Sequence, residues 1–153
     1  MSESEKPPLL FVKDFGALRP ANKAAADAMK AIGDKTTVRL RITRVTANQR
    51  RRGFYWVLLA VAAEALQDRT GSPMDAELLH TLLKQKLELG EWIHLPSGDR
   101  VFKAASTSDR AMSEPDRARW TDRCANVLSH WLKVEAHVLM DEARSRDGGN
   151  NTI

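Results

Sequence analysis

The sequence predicts an α+β protein: a small antiparallel sheet packed with helices, ending in a long C-terminal helix. Three observations carry this. Val38, Leu40 and Ile42 alternate with Arg39, Arg41 and Thr43, the period of a half-buried strand with a basic outer face. Trp92-Ile93-His94-Leu95 and Arg100-Val101-Phe102-Lys103 flank Pro96-Ser97-Gly98-Asp99, the pattern of a hairpin with a Pro/Gly turn. Elsewhere apolar residues recur at helical spacing, and the last such stretch runs about 30 residues without a breaker.

Taken in order, residues 1–8 are charged and end in Pro7-Pro8, which predicts a disordered start. Residues 9–13 suit a short strand, broken by Gly16 and Pro20. Residues 21–32 place Ala24, Ala28, Met29 and Ile32 at helical spacing, with Gly33 in the C-cap position. The basic strand spans 36–45, and Thr46-Ala47-Asn48-Gln49 reads as a polar connector. Residues 54–67 are apolar almost all round, a helix for a core or an interface, closed by Thr70-Gly71. Ser72-Pro73-Met74-Asp75 has the form of a helix start, with Ser as N-cap and Pro in first position. The following helix, to about residue 89, carries Leu78, Leu79, Leu82, Leu83 and Leu87 as its buried stripe, and Gly90 stops it.

Ser106-Thr107-Ser108 is a hydroxyl-rich connector, and Ser113-Glu114-Pro115-Asp116 repeats the capping pattern. From there to residue 146, Trp120, Cys124, Val127, Trp131, Val134 and Val138 alternate steps of four and three, widened by Leu128, Leu132 and Leu139. That is a coiled-coil-like seam. At 1.5 Å per residue an unbroken helix reaches about 45 Å, more than a domain of this size covers. The seam therefore predicts a homodimer through Trp120, Val127, Trp131, Val134 and Val138. Residues 9–146 form one predicted domain, and 147–153 a flexible tail.

A single cysteine, Cys124, permits no internal disulfide, which fits a reducing compartment. The polar start has no signal-peptide core, and the longest apolar run is too short to span a bilayer. The expected setting is the cytoplasm, with no membrane partner.

The function-bearing stretch is 35–63. It holds Lys35, Arg39, Arg41, Arg44, Arg50, Arg51 and Arg52 and no Asp or Glu. The formal net charge is +4, so these seven cations leave −3 for the remainder. Segregation of this kind points to an anionic partner. Specific catalytic constellations are missing. His80, His94, His130 and His137 read as helix-surface or boundary residues, and Cys124 as core packing. Glu88, Glu91 and Asp99, with Lys103, flank the hairpin as some nucleases place acids, though at no matching spacing. No metal or cofactor is expected. Bases stack on exposed aromatics in single-strand binders; Trp92 suits that role, while Phe54, Tyr55 and Trp56 open an apolar helix and suit a core.

The order of elements resembles the phage NinB (lambda Orf) recombination-protein family. An arginine strand runs through a polar Asn/Gln connector into an aromatic-Trp-Val-Leu-Leu helix. Then come Leu-His-Thr-Leu-Leu-Lys, a hairpin with Leu-Pro-Ser-Gly, and Ser-Thr-Ser before the last helix. The Gly-Ala-Leu-x-Pro-Ala start at residues 16–21 also resembles a related phage family of unknown function. The family usually sets Gln or His and basic residues directly before the aromatics; here Gly53 stands there and the arginines come slightly earlier. The resemblance implies a non-enzymatic homodimeric recombination mediator. Such a protein binds single-stranded DNA and the host single-strand DNA-binding protein, and assists recombinase loading. The nucleic-acid contacts implied together by charge and resemblance are Arg39, Arg41, Arg44, Gln49, Arg50, Arg51, Arg52, Lys84, Lys103, Ser106 and Ser108. Two other readings stay open: a metal-dependent nuclease using the hairpin acids, and a dimeric adaptor whose arginines take an acidic protein tail.

Overall fold

The structure, a computed structural model, describes residues 6–43 and 45–149. It is an α+β fold of two separate two-stranded antiparallel sheets and five helices. β1 (Phe11–Asp14) pairs with β2 (Ala17–Pro20), Val12 opposite Arg19. Gly16 turns this hairpin rather than ending a lone strand. Both Phe15 and Gly16 have positive φ, as a two-residue turn of right-handed twist requires. α1 (Lys23–Ala31) is capped by Asn22, whose side chain accepts from Ala25 N and donates to Pro8 O at 2.7 Å. The cap thus also ties down the segment that precedes β1.

α2 (Ala47–Thr70) is the central helix, packed against the three other helices that follow it in the chain. It is longer than its apolar run. Thr46 accepts from Gln49 N, and Gln49 Oε1 accepts from Thr46 N at 2.8 Å, a reciprocal capping box. Residues 47–52 are therefore the first turns of a helix and not a connector. Tyr55, Trp56, Leu58, Leu59, Ala62 and Leu66 are buried in the core. Complete burial of a leucine such as Leu58 contributes about 1.5–3 kcal/mol. Gly71 ends the helix in the left-handed conformation.

α3 (Ala76–Lys86) starts later than its sequence suggests. Asp75, not Ser72, is the N-cap, accepting from Leu78 N at 2.7 Å. The Asp75 carboxylate, two residues beyond Pro73, takes the role. Leu79 and Leu83 are buried, whereas Leu78 and Leu82 are exposed. β3 (Gly90–His94) and β4 (Arg100–Ala104) form the expected hairpin, with Trp92 opposite Phe102.

α4 (Glu114–Leu132) begins at Ser113, with Pro115 in its first turn, as the sequence predicts. The run does not continue unbroken to residue 146. Lys133 adopts φ 53° and closes α4, and α5 (Ala136–Gly149) follows as a separate helix. A left-handed residue with a side chain costs roughly 1–2 kcal/mol. The break lets α5 fold back on α2, so that Leu139 and Ala143 enter the core. A straight helix would have carried both away into solvent.

The predicted strand over 36–45 is the other correction. Residues 36–43 have no regular secondary structure, and neither sheet includes them. Each hairpin is closed on its own pairing, so the alternating segment runs exposed between α1 and α2. No helix among the described residues is long and apolar enough to cross a membrane.

Candidate nucleic-acid interface

The first turns of α2 divide three consecutive arginines among three environments. Residues 50, 51 and 52 are successive, so each points about 100° from the last around the helix. Arg52 turns inward and meets Asp109 Oδ2 at 3.2 Å, its side chain largely buried. Arg51 lies at the surface and pairs with Glu114 at 2.9 Å. Arg50 is exposed and has no ion pair among the described residues.

Beneath them sits a residue that the sequence reading passed over. Arg117, on the first turn of α4, is completely buried. Its Nε donates to Asn48 Oδ1 at 2.6 Å, and its Nη2 donates to Thr107 O at 2.8 Å and Asp109 Oδ1 at 3.1 Å. Asn48 in turn donates to Met112 O at 2.9 Å. Burial pulls the Arg117 guanidinium below its ordinary value, opposed by the Asp109 carboxylate. One carboxylate thus holds two guanidiniums and fastens the 105–113 loop to both helices. A signal was available: residues 117, 120, 121, 124 and 128 share one helical stripe, so Arg117 sits on the seam that buries Trp120, Cys124 and Leu128.

Beside this network, Arg50, Arg51, Phe54, Asp122, Arg144 and Asp147 line an open cavity of about 360 Å³. Arg144 pairs with Asp141 at 2.8 Å and stands 6.0 Å from the Phe54 ring centre. Burial pushes the Asp147 carboxyl above the usual carboxylate range.

The other expected contacts are scattered. Arg39 and Arg41 are exposed on the extended 36–43 segment, and Arg44 lies outside the described residues. Gln49 is spent on the capping box. Lys84 is buried, only 5% exposed, on the inner side of α3. Lys103 is exposed on β4, 3.8 Å from Glu91. Ser106 is exposed and its Oγ accepts from Ser108 N at 3.1 Å; Ser108 is buried. Lys84 and Ser108 thus belong to the interior and Gln49 to a helix cap, because each serves the local fold first.

The hairpin acids have separate partners. Glu88 accepts from Trp92 Nε1 at 3.1 Å, Glu91 faces Lys103, and Asp99 accepts from Ser97 Oγ at 2.8 Å. Among the described residues no three His, Cys, Asp or Glu side chains are grouped to hold a metal ion. Trp92 is half-buried, its ring 5.2 Å from Phe102 and 4.9 Å below the Arg100 guanidinium. His80 is not a surface histidine: it is fully buried in the core, with Nδ1 2.7 Å from the Tyr55 hydroxyl.

Of the homodimer seam, Trp120 is buried in the chain's own core, and Val127 and Val134 pack on that core. Trp131 and Val138 are exposed. No family model, no curated protein and no solved structure matches the chain.

Proposed function

We propose that this protein is a non-enzymatic mediator of phage or prophage recombination that binds single-stranded DNA in the bacterial cytoplasm. In this reading it assists recombinase loading and contacts the single-strand DNA-binding protein, as the resemblance to the NinB family implies. The observation that carries the DNA contact is Arg50. A helix N-terminus bears about half a positive charge, and cations near it are disfavoured. Asp109 and Glu114 neutralise Arg52 and Arg51, but Arg50 has no acid paired to it among the described residues. An anion there is met by a guanidinium and a helix end of the same sign. Arg39 and Arg41 extend the basic surface along the acid-free segment that leads into α2. Contacts of this kind address phosphates, so binding is largely independent of sequence.

The test is fluorescence anisotropy of labelled oligo-dT against salt. Each phosphate contact on a single strand contributes about −0.7 to the slope of log K against log salt. Arg39→Ala, Arg41→Ala and Arg50→Ala combined should flatten the slope by roughly 2. All three side chains are exposed, so thermal melts should stay within about 0.5 kcal/mol of wild type. Parallel slopes with unchanged melts would remove these arginines from any DNA site. Loss of an acidic protein partner instead would favour the adaptor reading.

A further inference from the structure

The cavity of about 360 Å³ beside the arginine cluster is built by one stripe from each of three helices. Arg50 and Phe54 lie one turn apart on α2, Asp122 comes from α4, and Arg144 and Asp147 lie one turn apart on α5. Its charges are unevenly matched. Arg51 and Arg144 already pair with Glu114 and Asp141. Asp122 and Asp147 have neither an ion pair nor a hydrogen bond among the described residues. Asp122 is exposed, but Asp147 is half-buried, and an acceptor withdrawn from water without a donor is costly. That burial is also what raises its carboxyl above the usual range. Phe54 is half-buried beside it, with the Arg144 guanidinium 6.0 Å from its ring centre. The Arg144–Asp141 pair is exposed and contributes little, so Arg144 is free to swing off the ring.

Unmet carboxylates repel a bare phosphate, whereas an aromatic surface beside them suits a nucleobase, which offers both a face and N–H donors. An ionised carboxylate only accepts hydrogen bonds. Guanine sets two donors side by side, its ring N1–H and its exocyclic amino group. Adenine and cytosine place a ring acceptor beside the amino group, and thymine places one N–H between two carbonyls. We infer that the cavity seats a guanine base, with Phe54 stacked on its face and the Asp147 carboxylate accepting from N1–H and the amino group. Arg50 at the rim takes the attached phosphate. For a base within a strand this rests on the single-strand reading above; for a free nucleotide it does not. One such seat adds a preference for guanine to phosphate contacts that are otherwise indifferent to sequence.

The test is fluorescence anisotropy with labelled oligo-dT beside the same strand carrying one central dG, dA, dC or deoxyinosine. The dG strand should bind about tenfold more tightly than oligo-dT, and the dA and dC strands should not. Deoxyinosine lacks the exocyclic amino group and should lose most of the gain. Asp147→Asn should remove the preference and leave oligo-dT affinity and its salt slope unchanged, and Phe54→Ala should weaken the dG strand most. Should Phe54→Ala fail to fold, Asp147→Asn and deoxyinosine carry the test, since neither alters core packing. Calorimetric titration with dGMP, beside dCMP, separates the two sources of guanine. Uptake of dGMP that Asp147→Asn abolishes, with no preference among strands, assigns the cavity to a free nucleotide. Equal affinities for all strands and no dGMP uptake overturn the proposal, and an oligo-dT salt slope that persists then leaves the phosphate contacts standing. A guanine preference that survives Asp147→Asn overturns it too. Failure of every strand to bind removes the DNA reading, and dGMP uptake alone then decides the seat.

Discussion

Arg117 donates from Nε to Asn48 Oδ1 across 2.6 Å, joining the first turn of α4 to the first turn of α2. Everything between those turns in the chain, including α3 and the second hairpin, is closed into a loop by that bond. The buried guanidinium also organises Thr107 and Asp109, so the network acts as a clamp under the arginines at the surface.

Removing the clamp's centre should be severe. Arg117→Met removes the buried donor to the Asn48 amide oxygen and to the Thr107 carbonyl, while Asp109 keeps Arg52, and should cost about 1–3 kcal/mol. Asn48→Ala should cost about 1–3 kcal/mol, since it strips a partner from Arg117 and from Met112 O. Urea denaturation of both variants beside wild type measures this. A loss under 1 kcal/mol in Arg117→Met would mean that apolar packing alone holds α4 to α2.

Neighbouring arginines should behave in opposite ways. Arg52→Ala removes an inward ion pair to Asp109 and should lower the melting temperature by several degrees. Arg50→Ala should leave the melt unchanged and reduce the salt slope of oligo-dT binding by about 0.7. Equal melting losses in the two variants would refute the division of roles described above.

Gly90 should tolerate no side chain. Its φ is +151°, and an added Cβ would collide with the Lys103 carbonyl oxygen and come 2.9 Å from Ala104 Cα across the hairpin. Both atoms belong to backbone and cannot swing aside. Gly90→Ala should destabilise by more than about 1 kcal/mol, and amide exchange along β3 and β4 should accelerate before that of α2. Unchanged protection in β3 and β4 would contradict the geometry.

Stability should fall on the alkaline side. Burial pushes the Cys124 thiol up to about 12 from its ordinary value near 9. The unfolded chain therefore releases this proton first, as pH rises past about 9, while the folded chain holds it. The stabilisation is fully present below pH 9 and is lost progressively towards pH 12, by up to about 1.4 kcal/mol per pH unit for one proton. Tyr55, raised well above its ordinary value chiefly by burial, acts in the same direction above pH 10. Melts between pH 8 and 10 should show the decline, with a flatter slope in Cys124→Ala. An identical slope in that variant would assign the effect to other groups.

By itself the sequence determined the α+β class, the Trp92–Phe102 hairpin, the buried face of α2, the Gly71 stop and the Ser113 cap. These follow from local spacing, turn chemistry and capping, which act within a few residues of one another. It also marked 35–63 as basic and free of acids, since composition needs no fold to be read. Tertiary structure alone decided what those charges do. Whether an arginine pairs or stays open depends on where Asp109 and Glu114 arrive from more than fifty positions away. The same holds for the bare 36–43 segment, because alternation specifies a strand's faces but a ladder needs a partner within reach. It holds also at Lys133, where no Gly or Pro marks a break. There the burial of Leu139 and Ala143 against α2 outweighs the local preference for one continuous helix.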